Sequence, residues 1–167
     1  MNFNRASGII LHPTSLPGPD GIGDLGPECF QWLDFLQETG CALWQILPLG
    51  PTGYGDSPYQ CFSAFAGNPY LISPEPLMGI NLLTREEIQD HPNFSQGRVN
   101  FGEVIPWKLM ILKKAFDRFS RGSFPDFERQ MEQFAHEEKY WLHDYALFMT
   151  IKDAHGGVSW NHWPEPL

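Results

Sequence analysis

The chain is short of basic residues, of cysteine pairs and of long apolar runs. It has 11 Lys and Arg against 20 Asp and Glu, so the formal net charge is −9. Nucleic acid and anionic membrane surfaces would be repelled, and neither is expected as a partner. The three cysteines, Cys29, Cys41 and Cys61, have no CxxC spacing, so neither a disulfide framework nor a zinc site is indicated.

No apolar run approaches the length of a membrane span, so no membrane partner is expected. The first five residues lack the basic-then-apolar layout of a signal peptide. Together with the cysteine usage, these features predict a protein of the reducing cytoplasm. A chain of 167 residues is long enough to bury a core and would ordinarily form one domain.

The sequence does contain two short apolar runs, each followed by a loop rich in Gly and Pro. Gly8–Leu11 and Cys41–Leu47 are predicted to be buried parallel strands. A helix is predicted between them, from Pro27 to a stop at Gly40. Its buried stripe would consist of Cys29, Trp32, Leu33 and Leu36. This order predicts an α/β fold that begins with a right-handed strand–helix–strand crossover.

The second half of the chain is predicted to be helical. Thr84-Arg-Glu-Glu87 fits a capping box at the start of a short helix. Pro106 would open the next helix, and Pro125 would open another. The packed side of the helix after Pro106 would carry Leu109, Leu112, Phe116 and Phe119. A last helix is expected from about Tyr140 to Ala154.

One glycine motif imitates a dinucleotide site. Gly21-Ile-Gly-Asp-Leu-Gly26 matches G-x-G-x-x-G and precedes a helix. In a true site the first glycine follows the strand directly, and an acid stands about twenty residues further on. Here a proline-rich loop separates Leu11 from Gly21, and no acid stands near Ile46. A glycine-rich turn is favoured, no cofactor is expected, and Asp20 and Asp24 are expected to form turns rather than a catalytic pair.

The loop Gly53–Gln60 is the strongest candidate for a functional site. It follows the carboxyl end of a strand, which is the functional face of such sheets. Tyr54 and Tyr59 offer ring faces and hydroxyl groups to a sugar, and Asp56 and Ser57 offer hydrogen bonds. This nearly uncharged composition suits a ligand with many hydroxyl groups. A tight turn, in which Asp56 and Ser57 bond the backbone, would use the same residues, and the residues alone leave both interpretations open.

Histidines give weaker signals. His12 follows the first strand on the same face and is a further candidate, although a role in bonding the loop backbone is favoured. His136-Glu137-Glu138 lacks the second histidine of H-E-x-x-H, because Tyr140 stands in its place. No metal site is therefore expected.

Five stretches carry long, ordered motifs: Ser7–Gly26, Ala42–Gln60, Gly67–Ser73, Trp141–Met149 and Trp160–Pro166. In these stretches the chain resembles the N-terminal portion of 4-α-glucanotransferase (amylomaltase, or disproportionating enzyme). The resemblance implies the start of a (β/α)8 TIM barrel with a helical insertion. Residues 1–75 would form the first βαβ part and residues 76–167 the insertion subdomain. Since a complete barrel needs roughly 250 residues, the chain is expected to be truncated at Leu167.

The resemblance also implies an activity. Such enzymes transfer α-1,4-glucan segments to the 4-hydroxyl group of glucose or another glucan by retaining double displacement, without a cofactor. The expected partners are maltooligosaccharides, starch and glycogen. Tyr59 matches the tyrosine that lines the subsite of the cleaved glucose; Asp56 and Ser57 match less strongly, and Tyr54 would contact the glucan further out.

The resemblance assigns no catalytic residue to this chain. The nucleophilic Asp, the acid/base Glu and a supporting Asp lie on later barrel strands in the family, so the chain alone is expected to be inactive. Two alternatives stay open at this point. The chain could belong to an α-glucan hydrolase built on the same barrel, or it could be a non-catalytic α-glucan-binding remnant.

Overall fold

The computed structural model describes residues 5–164, apart from the side chain of Tyr54. The chain folds into two compact units. The first takes in the chain up to Phe62 together with Gly67–Ser123, and the second takes in Ser63–Ala66 together with the chain from Phe124 onward. The boundary at residue 75 between barrel start and insertion stays a prediction.

Two short parallel strands open the first unit, β1 at Gly8–Ile10 and β2 at Leu43–Gln45. Gly8 lies opposite Leu43 and Ile10 opposite Gln45, so the strands are parallel, as predicted. The predicted burial of the strands is wrong, because the first and last residues of each strand are exposed. A Cβ on Gly8 would lie 3.0 Å from the Cβ of Leu43, so the absence of a side chain lets the strands approach. Just beyond β1, the N–H of Leu11 donates to the carbonyl of Gln45 at 3.1 Å.

Helix α1, Pro27–Glu38, connects the two strands. Pro27 occupies its first position, as predicted, and Glu28 lies in its first turn, where a negative charge is favourable. Gly40 follows the helix with φ +68°, a conformation that favours glycine. The predicted stripe is too wide, because Cys29 and Leu36 are buried whereas Leu33 is exposed.

The remaining helices follow in chain order. They are α2 at Pro74–Gly79, α3 at Arg85–Gln89, α4 at Phe101–Arg121, α5 at Pro125–Glu137 and α6 at Leu142–Ala154. Short 3-10 turns occur at Pro13–Ser15, Tyr54–Asp56, Pro69–Leu71 and Trp160–His162. Among the described residues, no helix is both long enough and apolar enough to cross a membrane.

The prediction for α4 is wrong in both its start and its buried face. The helix begins at Phe101 and runs through Pro106, which removes only one backbone hydrogen bond. The buried stripe consists of Val104, Trp107, Lys108, Ile111 and Ala115. Phe116 and Leu109, which were expected inside, are exposed. The stripe is continuous across the proline, so its packing holds the helix together where the local signal indicates a start.

The predicted capping box of α3 is confirmed. The hydroxyl of Thr84 accepts from the N–H of Glu87 at 3.3 Å, and the Glu87 carboxylate accepts from the N–H of Thr84 at 2.8 Å. The guanidinium of Arg118 on α4 also donates two hydrogen bonds to this carboxylate, at 2.9 and 3.0 Å. The cap therefore ties α3 to α4.

The glycine-rich loop after β1 packs closely against later parts of the first unit. Gly21 has φ +73°, and a Cβ there would clash with the ring of Phe94. A Cβ on Gly26 would clash with the side chain of Ser73. The glycines of the G-x-G-x-x-G pattern thus serve close packing, in agreement with the glycine-rich turn that the sequence favours.

The second unit is organised around aromatic rings. Phe65 stacks on Trp141 with ring centres 6.0 Å apart and meets Tyr140 edge-on at 5.5 Å. Trp163 stacks on His155 at 5.5 Å. Ring pairs at such distances add to the stability that apolar burial provides.

Candidate functional site

The loop after β2 closes on itself like a short hairpin. Thr52 and Cys61 form an isolated antiparallel bridge, and the N–H of Gly53 donates to the carbonyl of Gln60 at 2.9 Å. A Cβ on Gly53 would lie 3.0 Å from that carbonyl oxygen. Glycine at this position therefore allows the two sides of the loop to meet.

The tip of this loop is a tight turn. Gly55 and Asp56 both have left-handed backbone, with φ +68° and +54°. The hydroxyl of Ser57 accepts from the N–H of Tyr59 at 3.3 Å, and the carbonyl of Ser57 accepts from the N–H of Gln60 at 3.1 Å. Ser57 thus has the turn-forming role that the sequence left open.

The same turn presents the ring of Tyr59 to solvent. This side chain is 72 % exposed, whereas Asp56 and Ser57 are half-buried beside it. An exposed ring held on a fixed turn can stack on the apolar face of a sugar. The side chain of Tyr54 lies outside the described part of the chain. The binding roles of Tyr54, Asp56, Ser57 and Tyr59 stay predictions.

His12 joins the loops that follow the two strands. Its Nε2 lies 3.4 Å from the carbonyl oxygen of Pro48, and its Nδ1 lies 3.3 Å from the N–H of Thr14 and 2.8 Å from the Thr14 hydroxyl. Because a carbonyl oxygen only accepts, Nε2 carries the proton and Nδ1 accepts. Burial lowers the pKa of His12, which favours the neutral ring. These contacts fit the favoured backbone role, and contact with a ligand stays a prediction.

A third segment, Gly67–Ser73, forms hydrogen bonds with the loop after β1 and with the loop after β2. The N–H of Asn68 donates to the carbonyl of Leu49 at 2.8 Å, and the N–H of Leu25 donates to the carbonyl of Leu71 at 2.9 Å. The side chain of Asn68 caps the turn at Pro69–Leu71 by accepting from the N–H of Tyr70. This role was not predicted, although Asn before Pro is a helix-start signal.

A buried charge cluster was also missed. The ammonium of Lys108, which is fully buried on α4, donates to Asp24 at 2.9 Å and lies 4.0 Å from Asp20. The turn-forming role expected for these two aspartates is therefore wrong, because their carboxylates face a lysine far along the chain. The available signal was a single lysine within the apolar stripe of α4, where a buried charge requires a partner.

Residues 11–167 match the family described as 4-alpha-glucanotransferase. The chain belongs to this family. It is 53 % identical over 167 residues to a 4-alpha-glucanotransferase of Thermus thermophilus, and 46 % identical over 167 residues to one of Synechocystis sp.. Each match covers 100 % of the chain and 33 % of the relative, so the chain spans about a third of the length of these curated relatives.

A solved structure shows the same likeness. It is an amylomaltase from Streptococcus agalactiae in complex with acarbose, to which the chain is 39 % identical, with a TM-score of 0.89. The match covers 97 % of the chain and 32 % of the amylomaltase. The family resemblance of the five sequence motifs is thereby confirmed, and the parallel strands and helices have the fold of the corresponding part of an amylomaltase.

Proposed function

We propose that the complete gene product containing this chain is a 4-alpha-glucanotransferase. It transfers α-1,4-glucan segments to the 4-hydroxyl group of glucose or of another glucan. The observation that carries this proposal is the family match over residues 11–167, with 53 % identity to the Thermus thermophilus relative. The substrates are maltooligosaccharides, starch and glycogen, and the acarbose complex of the amylomaltase supports a ligand of this class.

The proposed contribution of this chain is part of the wall that binds the donor sugar. Tyr59 stacks on the glucose unit next to the bond that is cleaved, because its exposed ring offers an apolar face. Asp56 and His12 support that wall, Ser57 fixes the turn that aims the ring, and Tyr54 contacts the glucan further out. In this proposal the two strands and α1 open a (β/α)8 barrel, and these loops lie at its functional face.

The chemistry itself requires two carboxyl groups about 5–5.5 Å apart. One attacks the anomeric carbon while the other protonates the departing glycosidic oxygen, which gives a covalent glucosyl intermediate. The 4-hydroxyl of the acceptor then attacks that carbon and passes its proton to the second carboxylate. Asp24 does not suit either role, because it is buried against Lys108. We assign both roles to residues outside this chain.

A cytoplasmic location is part of the same proposal. The described chain holds its three cysteines as free thiols, which suits a reducing compartment. Starch-type and glycogen-type substrates of the proposed enzyme would be met inside the cell.

The test is to incubate the complete gene product with maltotriose and follow free glucose and longer oligomers. Transfer of a maltosyl unit from one maltotriose to another gives glucose and maltopentaose in equal amounts. Formation of both products, followed by longer chains, supports the proposal. Release of glucose and maltose without any longer oligomer would show a hydrolase instead.

A further inference from the structure

The ammonium of Lys108 joins α4 to the loop after β1 inside the first unit. It donates to Asp24 at 2.9 Å and lies 4.0 Å from Asp20; the lysine side chain is fully buried and both aspartates are nearly so. Buried charges carry a large desolvation penalty, and apolar side chains of similar volume often give equal stability in their place. Stability alone therefore does not account for this cluster. A buried ion pair can instead fix where a segment lies, because a displaced loop would leave the ammonium without its partner.

The residues on both sides of Asp24 form hydrogen bonds that lead to the candidate site. On one side, the N–H of Gly23 donates to the carbonyl of Thr14 at 3.1 Å. The hydroxyl of Thr14 lies 2.8 Å from the Nδ1 of His12, whose Nε2 donates to the carbonyl of Pro48 at 3.4 Å. This first path runs from Asp24 through His12 to the loop after β2.

A second path begins on the other side of Asp24. The N–H of Leu25 donates to the carbonyl of Leu71 at 2.9 Å, and the N–H of Leu71 donates to the carbonyl of Asn68 at 3.1 Å. The N–H of Asn68 in turn donates to the carbonyl of Leu49 at 2.8 Å. This path reaches the loop after β2 one residue beyond the end of the first path, so both support the base of the same loop.

That loop carries the exposed ring of Tyr59. Its two sides are joined by hydrogen bonds from the N–H of Phe62 to the carbonyl of Pro51 at 3.1 Å and from the N–H of Gly53 to the carbonyl of Gln60 at 2.9 Å. Because the two sides are bonded to each other, a displacement at the base of the loop moves the turn and its ring together.

We propose that Lys108 is a positioning residue for the wall that binds the donor sugar. Its ion pair with Asp24 fixes the loop after β1, and the two paths from that loop fix the turn with Tyr59. The inference rests on the proposed function, since the wall has a role in the reaction only if the gene product transfers glucan. Lys108 is fully buried and does not touch the substrate, so losing its ammonium misplaces the ring without removing it.

The test is a double-mutant cycle on the complete gene product with maltotriose. Lys108→Met should lower turnover per folded molecule about fivefold, because a small misplacement of a binding group raises the barrier. In a Tyr59→Ala background the same substitution should change turnover by less than about twofold, since two residues that act through one contact are not additive. Lys113→Met, which removes an exposed ammonium from the same helix, should leave turnover unchanged in both backgrounds. An equal loss from Lys108→Met in both backgrounds would show a merely structural role and overturn the proposal.

A charge-free variant covers the case in which Lys108→Met does not fold, because that substitution leaves two buried carboxylates without a cation. Adding Asp20→Asn and Asp24→Asn to it removes every charge of the cluster and should recover the folded state, as measured by circular dichroism. We expect turnover to stay low in this folded variant. Turnover at the level of the parent would overturn the proposal.

Hydrogen exchange provides a readout that does not depend on the reaction. In the Lys108 variants, the backbone N–H groups of residues 23–25 and 67–73 should exchange about tenfold faster, while those of α5 keep the rate of the parent. Unchanged exchange, or exchange that is faster throughout the chain, would overturn the positioning role. This local pattern in a gene product that makes no maltopentaose would refute the proposed function alone and support the fixing of the loops by Lys108.

Discussion

At the residue scale, the candidate site depends on one exposed ring held by a turn. Gly55 and Asp56 adopt left-handed backbone, and Ser57 accepts from the N–H of Tyr59. The two interpretations of this loop are therefore compatible. The polar residues build the turn, and the ring of Tyr59 stays exposed.

Replacing Tyr59 with Ala in the complete gene product should lower turnover on maltotriose about tenfold. That factor corresponds to about 1.4 kcal/mol of lost transition-state stabilisation, within the range of a ring contact. The fold should be unaffected, because the side chain is 72 % exposed. Kinetics of product formation provide the measurement.

Tyr59→Phe is the matched control, since it keeps the ring and removes the hydroxyl. Activity close to that of the parent would assign the effect to stacking, whereas a loss as large as that of Tyr59→Ala would assign it to the hydroxyl. If Tyr59→Ala turns over maltotriose at the rate of the parent, Tyr59 is not part of the site.

The buried charge that was not predicted from the sequence has a long-range partner. Ser57 accepts from the N–H of Tyr59 and His12 accepts from the N–H of Thr14, so these local roles could be expected from turn chemistry, whereas the contact of His12 with Pro48 could not. Lys108 meets Asp24 at a separation of 84 positions, which no local pattern reveals. Lysine is also rarely buried, so the general rule predicts that Lys108 is exposed.

At the element scale, helix boundaries were predictable where a capping signal decides them. Pro27 begins α1, and Thr84 caps α3 through its bond with Glu87. The start of α4 was not predictable from Pro106, because the buried stripe extends through the proline. Packing between elements overrode the local signal there.

The buried face of α4 gives a direct test. Ile111→Ala should destabilise the protein by about 3 kcal/mol, because a fully buried side chain would leave a cavity. Leu109→Ala removes an aliphatic side chain from the same helix at a position that is 46 % exposed, and should cost less than about 1 kcal/mol. Urea unfolding of the complete gene product measures both. A larger loss of stability for Leu109→Ala than for Ile111→Ala would show that the face predicted from the sequence is the buried one.

The link between α3 and α4 should depend on pH. Hydrogen bonds from Arg118 and from the backbone of Thr84 lower the pKa of Glu87 from 4.5 to about 2. A carboxyl whose pKa is lowered on folding stabilises the protein above its unfolded pKa, and this contribution disappears as the pH falls through the folded pKa. At pH 7 the free energy of unfolding of the parent should exceed that of Glu87→Gln by about 1 kcal/mol. The effect is this small because the side chains of Glu87 and Arg118 are both partly exposed.

The difference in the free energy of unfolding between the parent and Glu87→Gln should decrease as the pH falls below about 4.5. Urea unfolding at a series of pH values provides the measurement. Asp117→Asn serves as the control, because it breaks the exposed pair with Lys113 at an equal loss of charge. The loss of stability caused by Asp117→Asn should be smaller than that caused by Glu87→Gln at every pH. A Glu87→Gln difference that is constant from pH 7 to pH 3 would contradict the assigned cause.

At the scale of the whole molecule, the class of the fold was more predictable than its packing. Alternation of short apolar strands, glycine-rich loops and a helix predicts a parallel α/β start, and the pairing of Gly8 with Leu43 agrees with it. The side chains that cover this sheet could not be foreseen, because they depend on contacts across the whole fold. Ile10 is 68 % exposed, and Leu43 and Phe30 are exposed as well.

These apolar surfaces predict how the chain behaves alone. A two-stranded sheet is marginally stable, and one with exposed Ile10 and Leu43 has little core to hold its strands together. The isolated chain should therefore melt over a broad range and bind a hydrophobic dye, whereas the complete gene product should melt cooperatively. Circular dichroism of both proteins at one protein concentration gives the comparison. A sharp two-state transition of the isolated chain without dye binding would show that the first unit is stable by itself, and the exposed side chains of its strands would then be ordinary surface.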